Sequence, residues 1–260
     1  MSKYSDNRNL AVFCDFENIA LGARDAHHTE FDITKVLERL LLKGSIVVKK
    51  AYCDWHRYAE FKRTMHEAAF ELIDIPHVRQ SGKNSADIRL VVDALDLCYT
   101  KAHVDTFVVV SGDSDFSPLV SKLRENNKTV IGVGVRSSTS DLLTANCDEF
   151  IFYDDLVESE SKRRRRGNRR KKPVDDPRQE LFDLVLETFE AVAAERDDGD
   201  KIWGSMIKQA LKRRRPGFSE SSYAFGSFSD VLQAMSEAKL LELTRDERSG
   251  GFLVTAVSAQ

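Results

Sequence analysis

Several features that define whole classes of proteins are missing from this sequence of 260 residues. No apolar run approaches the roughly 20 residues that a membrane-spanning helix needs, and residues 1–10 hold no apolar stretch suited to a signal peptide. The four cysteines lie far apart, which excludes a C-x-x-C metal or redox pair. Three of them sit in or beside apolar stretches and are expected to be small buried residues. These absences favour a cytoplasmic protein with reduced thiols and no membrane partner.

Glycine-rich signatures of nucleotide binding are also missing. The first apolar run leads into an acidic turn at residues 15–18 and not into a G-x-G-x-x-G turn. Gly82 and Lys83 lack the spacing of a phosphate-binding loop. The chain also shows no obvious Ser–His–Asp order and no reactive cysteine context. Enzymes that bind a nucleotide cofactor, or attack through a serine or cysteine, are therefore disfavoured.

Charge is distributed unevenly along the chain, although the formal net charge is only −3. Residues 162–172 contain nine lysines and arginines and almost nothing apolar, so this stretch is expected to be disordered by itself. The segments before and after it are mildly acidic and hold apolar residues at regular spacing. We therefore predict a domain at residues 1–157, a basic linker at 158–177 and a second domain at 178–260.

Strand-like and helix-like segments alternate through the first predicted domain. Apolar and β-branched runs predict strands at residues 10–14, 46–53, 71–75, 106–110, 129–135 and 150–153. Helical spacing predicts helices at residues 33–42, 58–70, 85–99 and 116–126. In the third helix this spacing groups Ile88, Val91, Val92, Leu95 and Tyr99. The alternation is typical of an α/β fold, a parallel sheet with flanking helices, whose ligand sites lie at the carboxyl ends of the strands.

Aspartates occur where the predicted strands end. Asp15 ends the first strand, Asp87 lies in the first turn of a helix, and Asp113 and Asp115 follow the strand at 106–110. Mg²⁺ and Mn²⁺ prefer such oxygen ligands, and a cation there can activate water and clamp phosphate oxygens. Each aspartate alone is also explained as a helix cap or as a partner of the helix dipole. Their joint placement at consecutive strand ends favours a metal site.

The second predicted domain has the element order of a winged helix. Helical spacing begins near residue 178 and returns at 204–213 and 227–238, and strand-like runs follow at 240–244 and 251–255. Basic residues near the end of the second helix, and an aromatic residue after it, fit phosphate contacts and base stacking. These candidate RNA contacts are Lys208, Lys212, Arg213, Arg214 and Tyr223.

Three blocks of the first domain resemble the NYN family, a branch of the PIN-like nuclease fold. The blocks read VFCDFEN at 12–18, GKNSADI at 82–88 and VSGDSDF at 110–116, and the later stretches SDL at 140–142 and CDEF at 147–150 also resemble the family. The resemblance implies ribonuclease chemistry, with Asp15, Asp87, Asp113 and Asp115 as ligands of Mg²⁺ or Mn²⁺. It also implies that Asn18 and Ser111 support the catalytic site.

The second domain is similar to the LOTUS, or OST-HTH, domain over residues 178–257. The matching stretches read IWGS at 202–205, PGFSE at 216–220, FGSFSDVL at 225–232 and LLEL at 240–243. This resemblance implies RNA binding and, in some relatives, binding of a protein partner. An NYN domain followed by a LOTUS domain is itself a known arrangement.

Together these features predict a metal-dependent ribonuclease that hydrolyses RNA phosphodiester bonds with metal-activated water. The linker and the second domain are expected to deliver RNA, and the nine linker charges would make the affinity for RNA strongly salt-dependent. A nuclear-localisation-like run or a solvated spacer would show the same charge pattern. Candidate backbone contacts outside the second domain are Lys83, Arg136, Arg164, Arg165, Arg169 and Arg170.

Two other functions are compatible with the same sequence. A non-catalytic RNA-binding adaptor with a residual metal site would show the same motifs. A metal-dependent phosphatase for small phosphoesters would use the same aspartates, but it would not need a basic tether. The oligomeric state is open as well.

Overall fold

The computed structural model describes residues 8–26, 31–75, 82–158, 176–196, 200–246 and 250–256, without the side chains of 82–84. The chain forms two compact units, of which the first contains a six-stranded sheet. The elements of the first unit, in chain order, are β1 (Arg8–Asp15), α1 (Phe16–Asp25), α2 (Ile33–Lys43), β2 (Gly44–Cys53), α3 (Lys62–Glu67), β3 (Glu71–Asp74), α4 (Gly82–Thr100), β4 (Thr106–Val110), α5 (Ser117–Glu125), β5 (Thr129–Gly134), α6 (Asp141–Asn146) and β6 (Glu149–Phe152).

All neighbouring strands of this sheet are parallel, in the order β3-β2-β1-β4-β5-β6. The predicted α/β fold with flanking helices is therefore confirmed. Strand β1 lies between β2 and β4, so the strand order reverses beside it. Open parallel sheets place their ligand sites at this kind of switch point, outside the carboxyl ends of the strands. The register aligns Asp15 with Tyr52 of β2 and Cys14 with Val110 of β4.

Side chains of β1 alternate between two cores, one on each face of the sheet. Leu10 and Val12 belong to the first core, and Phe13 belongs to the second, where its ring stacks on that of Phe107 at 6.0 Å. Burial on both faces explains why β1 and β4 are continuous apolar runs. These two buried strands hold the residues that follow them in fixed positions.

Three helices differ from the sequence prediction. α1 and α6 were not predicted, and the helix predicted at 58–70 is a 3₁₀ turn at Ala59–Phe61 followed by the short α3. Ala69 then adopts a positive φ of 58°, which ends the helical path. The helix predicted at 85–99 is present as α4, but it packs on the sheet through Leu90, Ala94 and Cys98.

The second unit contains three helices and an antiparallel hairpin. They are α7 (Pro177–Ala194), α8 (Gly204–Arg214), α9 (Phe228–Glu237), β7 (Leu241–Arg245) and β8 (Phe252–Ala256), and Trp203 forms an isolated bridge with Leu253. The predicted order of elements is present. Phe228 is buried in the core of this unit. The predicted linker lies almost entirely outside the described residues.

Within the described part of the chain, no helix is both long enough and apolar enough to cross a membrane. The four cysteines are free thiols, and Cys14, Cys53 and Cys98 are buried. The expectation that three cysteines are small buried residues is confirmed.

Candidate active site

The centre of the site is Asp15, the last residue of β1. Because α1 begins directly after it, the Asp15 carboxylate also caps that helix and accepts a hydrogen bond from the Asn18 backbone N–H at 3.3 Å. Its other oxygen accepts a hydrogen bond from the Ser111 hydroxyl at 3.1 Å. Only 8% of Asp15 is exposed to solvent, and Ser111 is fully buried. A carboxylate is thus held below the surface at the switch point of the sheet.

A second set of hydrogen bonds ties the turn after β4 to the same place. The Asp113 backbone N–H donates to the Ser111 hydroxyl oxygen at 3.2 Å, and the Gly112 N–H donates to the Asn18 side-chain oxygen at 2.9 Å. The Asp113 carboxylate in turn accepts from the Asp115 N–H at 3.0 Å. Asn18 and Ser111 therefore hold the ends of β1 and β4 together, and their predicted support of a catalytic site stays a prediction.

Gly112 is required by a close approach of the backbone. A Cβ atom at this position would lie 2.5 Å from the Ser138 carbonyl oxygen and 2.9 Å from the Thr139 Cα. The turn after β4 can therefore pass under the 3₁₀ turn at Arg136–Ser138 only if residue 112 has no side chain. This approach fixes the direction in which Asp113 leaves the strand.

The electrostatic environment of Asp15 disfavours its charged form. Burial is the largest cause, and the carboxylate of Asp87 is the next, with a smaller contribution from Asp113. Hydrogen bonds from Asn18 and Ser111 offset part of this effect, and the pKa of Asp15 is raised from 3.8 to about 7. Two other predicted metal ligands, Asp87 and Asp113, therefore lie close enough to Asp15 to disfavour its charged form.

The described residues do not form a finished metal site. No three His, Cys, Asp or Glu side chains in the described part of the chain are arranged so that they could hold an ion as they stand. The capping bonds of Asp15 and Asp113 occupy carboxylate oxygens that a cation would need. For these two residues, the cap interpretation and the metal interpretation therefore both fit the geometry.

A cleft of about 450 Å³ opens beside Asp15. Five carboxylates contribute to its wall, and they belong to Asp15, Glu17, Asp25, Asp54 and Asp87. Asn18, Tyr52, Arg57 and Ser138 also line it. Asp113 and Asp115 are not among the residues described along its wall, and Asp115 is exposed. The cleft is strongly acidic, which suits a cation or a substrate that arrives with cations.

Arg57 is a cleft residue that the sequence prediction missed. Its guanidinium Nη1 lies 3.2 Å from a Glu17 carboxylate oxygen, and about half of its side chain is exposed. The loop that carries it is anchored by Trp55, which is buried and donates from its backbone N–H to Asp74 and from its indole N–H to the Ile73 carbonyl oxygen. The signal in the sequence was its place just after β2, at the same sheet edge as Asp15.

The first unit also matches a known family. The sequence profile of the NYN domain family matches residues 9–156, which is more than half of the chain. The chain belongs to the NYN domain family. The matched residues include Asp15, Asp87 and Asp113, although the match itself assigns no role to any of them.

Two relatives of this NYN domain are themselves uncharacterised. An uncharacterised protein of Methanocaldococcus jannaschii is 28% identical over 120 residues, which are 46% of this chain and 47% of that protein. The chain thus spans about half the length of this curated relative. A crystal structure of a protein of unknown function from Vibrio parahaemolyticus is similar with a TM-score of 0.52 and 26% identity, over 60% of this chain and 98% of that one. Neither name states an activity.

Arg136, a predicted RNA contact of the NYN domain, is engaged within the domain. Its guanidinium donates to both carboxylate oxygens of Asp155 at 2.9 Å and lies over the ring of Phe152 at 4.1 Å from the centroid. Because 56% of its side chain is exposed, Arg136 is still accessible to a ligand. Its role as an RNA contact stays a prediction. Lys83 and the four linker arginines have side chains outside the described residues, so their predicted roles also stay predictions.

The basic cluster of the second unit has acidic partners. Lys208 lies 2.8 Å from a carboxylate oxygen of Glu220, and Arg214, with only 12% of its side chain exposed, lies 3.2 Å from one of Glu187. Arg213 is half-buried, whereas Lys212 is exposed. The ring of Tyr223 is half-buried beside that of Phe218, at 6.2 Å between centroids. A ligand would meet a smaller basic surface here than the sequence suggested.

Proposed function

We propose that the NYN domain is a metal-dependent ribonuclease that hydrolyses phosphodiester bonds of RNA. The observation that carries the proposal is the hydrogen-bonded junction of β1 and β4, in which Asn18 and Ser111 hold Asp15 and the Asp113 turn at one sheet edge. Family membership supports nuclease activity in general. A metal-dependent nuclease needs carboxylates held rigidly at one point, because they bind the cations that neutralise the charge of the scissile phosphate.

The donor set fits Mg²⁺ or Mn²⁺. Hard divalent cations take carboxylate oxygens, and such a cation would relieve the repulsion that Asp87 and Asp113 exert on the Asp15 carboxylate. We assign these three residues, with Asp115, as the groups that would hold the ion. When bound, the ion would lower the pKa of water and neutralise charge on the phosphate.

The remaining groups of the site position the carboxylates and the substrate. Ser111 and Asn18 keep the carboxylates from turning away, since each bonds to residues on both strand ends. Arg57 is the cation among the residues described along the cleft, and its guanidinium has N–H groups beyond the one that meets Glu17. We assign it as a contact to a backbone phosphate of the substrate.

A polymeric substrate is favoured over a small phosphoester by the rest of the chain. The linker sequence at 162–172 has nine basic residues, which a nucleic acid would neutralise. We also propose that the second unit is a winged-helix, LOTUS-like module that binds RNA or a protein partner. The order α7, α8, α9, β7, β8 and the bridge between Trp203 and Leu253 support this interpretation.

The test is cleavage of labelled single-stranded RNA by the wild type and by Asp113→Asn, with Mn²⁺ or with EDTA. Asparagine keeps an oxygen that can accept from the Asp115 N–H, so the variant removes charge while the cap remains. We expect cleavage only with Mn²⁺ and a rate lowered at least about 100-fold in the variant. RNA binding, measured by fluorescence anisotropy, should be unchanged.

Asp141→Asn is the matched control. Asp141 lies exposed in the first turn of α6, does not line the cleft, and should leave the rate at the wild-type value. Full activity of Asp113→Asn would refute the metal assignment. RNA binding without cleavage by any of the three proteins would favour the non-catalytic adaptor, which the absence of a finished metal site among the described residues keeps open.

A further inference from the structure

Helix α4 presents a row of large apolar side chains to solvent. Ile88 is 62% exposed, Val92 54% and Tyr99 65%, and Leu95 lies partly buried between the last two. Their spacing of four, three and four residues places them on one side of the helix. The other side of α4 packs on the sheet through Leu90, Ala94 and Cys98, and Leu95 at the border of the row also contacts this core. An exposed apolar row of this length is a mark of an interaction surface.

The spacing of this row is the same when read in either direction. A two-fold axis that pairs α4 with an antiparallel copy of itself would place Ile88 beside Tyr99 of the copy and Val92 beside Leu95 of the copy. Every apolar member of the row then meets an apolar member. Self-complementarity of this kind is what a two-fold interface requires, because the same patch is used by both subunits.

Charges beside the row have the same symmetry. Arg89 and Asp96 lie seven residues apart on one flank of α4, and both are exposed. In an antiparallel pair the same flanks of the two helices meet, so Arg89 of each copy faces Asp96 of the other. The Arg89 Nε atom bonds to Asp93 of its own helix at 3.0 Å, and its guanidinium has further N–H groups that can meet Asp96 of the copy.

We propose that α4 is the contact surface of a homodimer of this chain, formed by antiparallel packing of the row Ile88, Val92, Leu95 and Tyr99 against the same row of a second copy. The surface is independent of the catalytic proposal, since none of the four residues lines the acidic cleft. One helix supplies less area than the roughly 800 Å² per partner of a typical stable interface. The dimer is therefore expected to dissociate in the micromolar range.

Sedimentation equilibrium of the full chain between micromolar and millimolar concentration tests the proposal. The wild type should be a reversible dimer, and Val92→Asp should weaken the association at least about 100-fold, because it buries a charge opposite Leu95. Leu142→Asp is the matched control: Leu142 is 57% exposed on α6, and its substitution should leave the dimer intact. Circular dichroism verifies that each variant is folded.

Cysteine cross-linking tests the antiparallel register. Under mild oxidation, an equimolar mixture of Ile88→Cys and Tyr99→Cys chains should form more disulfide-linked dimer than either variant alone. A wild-type chain that stays monomeric at the highest concentration overturns the proposal. A dimer that survives Val92→Asp, or a monomeric chain in which α4 instead binds another segment, overturns it as well.

Discussion

Replacing the buried carboxylate of Asp15 by an amide should stabilise the metal-free protein at neutral and alkaline pH. The pKa of Asp15 is about 7 in the folded protein and 3.8 as its reference value. Folding therefore favours the protonated form, and the associated stability is fully present below pH 4 and is lost as the pH rises through 7. The difference of about three pKa units corresponds to about 4 kcal/mol. Asparagine has no charge to bury, so the free energy of unfolding of the Asp15→Asn variant does not fall in this way as the pH rises.

Asparagine is also a suitable replacement in its other contacts. It is as good a helix cap as aspartate, so the bond from the Asn18 N–H can remain. Its amide can also donate to the Ser111 hydroxyl oxygen, which already accepts from Asp113. The change thus removes the charge and preserves most of the geometry. We expect the variant and the wild type to have similar free energies of unfolding near pH 4 and to differ by up to about 4 kcal/mol at pH 8.

The assay is urea unfolding in EDTA at several pH values between 4 and 8. The chain has two tryptophans. In a Trp203→Phe background Trp55 remains, and because it is buried in the NYN domain its fluorescence reports on that domain alone. Adding Mn²⁺ should then stabilise the wild type but not Asp15→Asn, if the carboxylates hold the ion. A wild type and a variant with the same pH dependence would refute the reasoning, as would a variant less stable than the wild type at pH 8.

Two further substitutions test the supporting groups. Ser111→Ala removes the hydroxyl that donates to Asp15 and accepts from the Asp113 N–H, and it should lower the free energy of unfolding by about 1–3 kcal/mol in the same urea assay; a loss below about 0.5 kcal/mol would show that water replaces it. Arg57→Gln should raise KM for single-stranded RNA about 10-fold or more and lower kcat less. The exposed Arg63, paired with Glu67 on α3, is its control, and equal effects of Arg57→Gln and Arg63→Gln would contradict a specific phosphate contact.

The sheet and the centre of the site were accessible from the sequence, for one physical reason. Strands buried on both faces are continuous apolar runs, and adjacent parallel strands end at the same edge. Polar residues that follow such runs therefore converge, as Asp15, Asn18, Ser111 and Asp113 do. No knowledge of the strand order beyond the pairing of β1 with β4 was needed for this prediction.

Other features depend on contacts that spacing does not encode. Helix α4 has two apolar rows, one with Leu90 and Ala94 and one with Ile88 and Val92, and the sequence does not say which row faces the sheet. Helix α1 was not predicted, because its N-cap residue, Asp15, was interpreted as a metal ligand and not as the start of a helix.

The basic cluster of the second unit illustrates the same limit. Lys208 and Arg214 are cationic in the sequence, but their partners Glu220 and Glu187 come from other elements. Such pairs become visible only in three dimensions. Arg57 was missed because it lies near the site only through the pairing of β2 with β1, which the sequence does not reveal.

The bond between Ser111 and Asp15 joins residues 96 positions apart. During synthesis, a chain that has exposed only its first hundred residues contains Asp15 and Asp87 but neither Ser111 nor the turn after β4. Such a chain has no partner for β1 on the β4 side, so the hydrogen-bonded junction of β1 and β4 cannot yet form. The contact between the two strand ends is therefore one of the late long-range contacts to form as the NYN domain is synthesised.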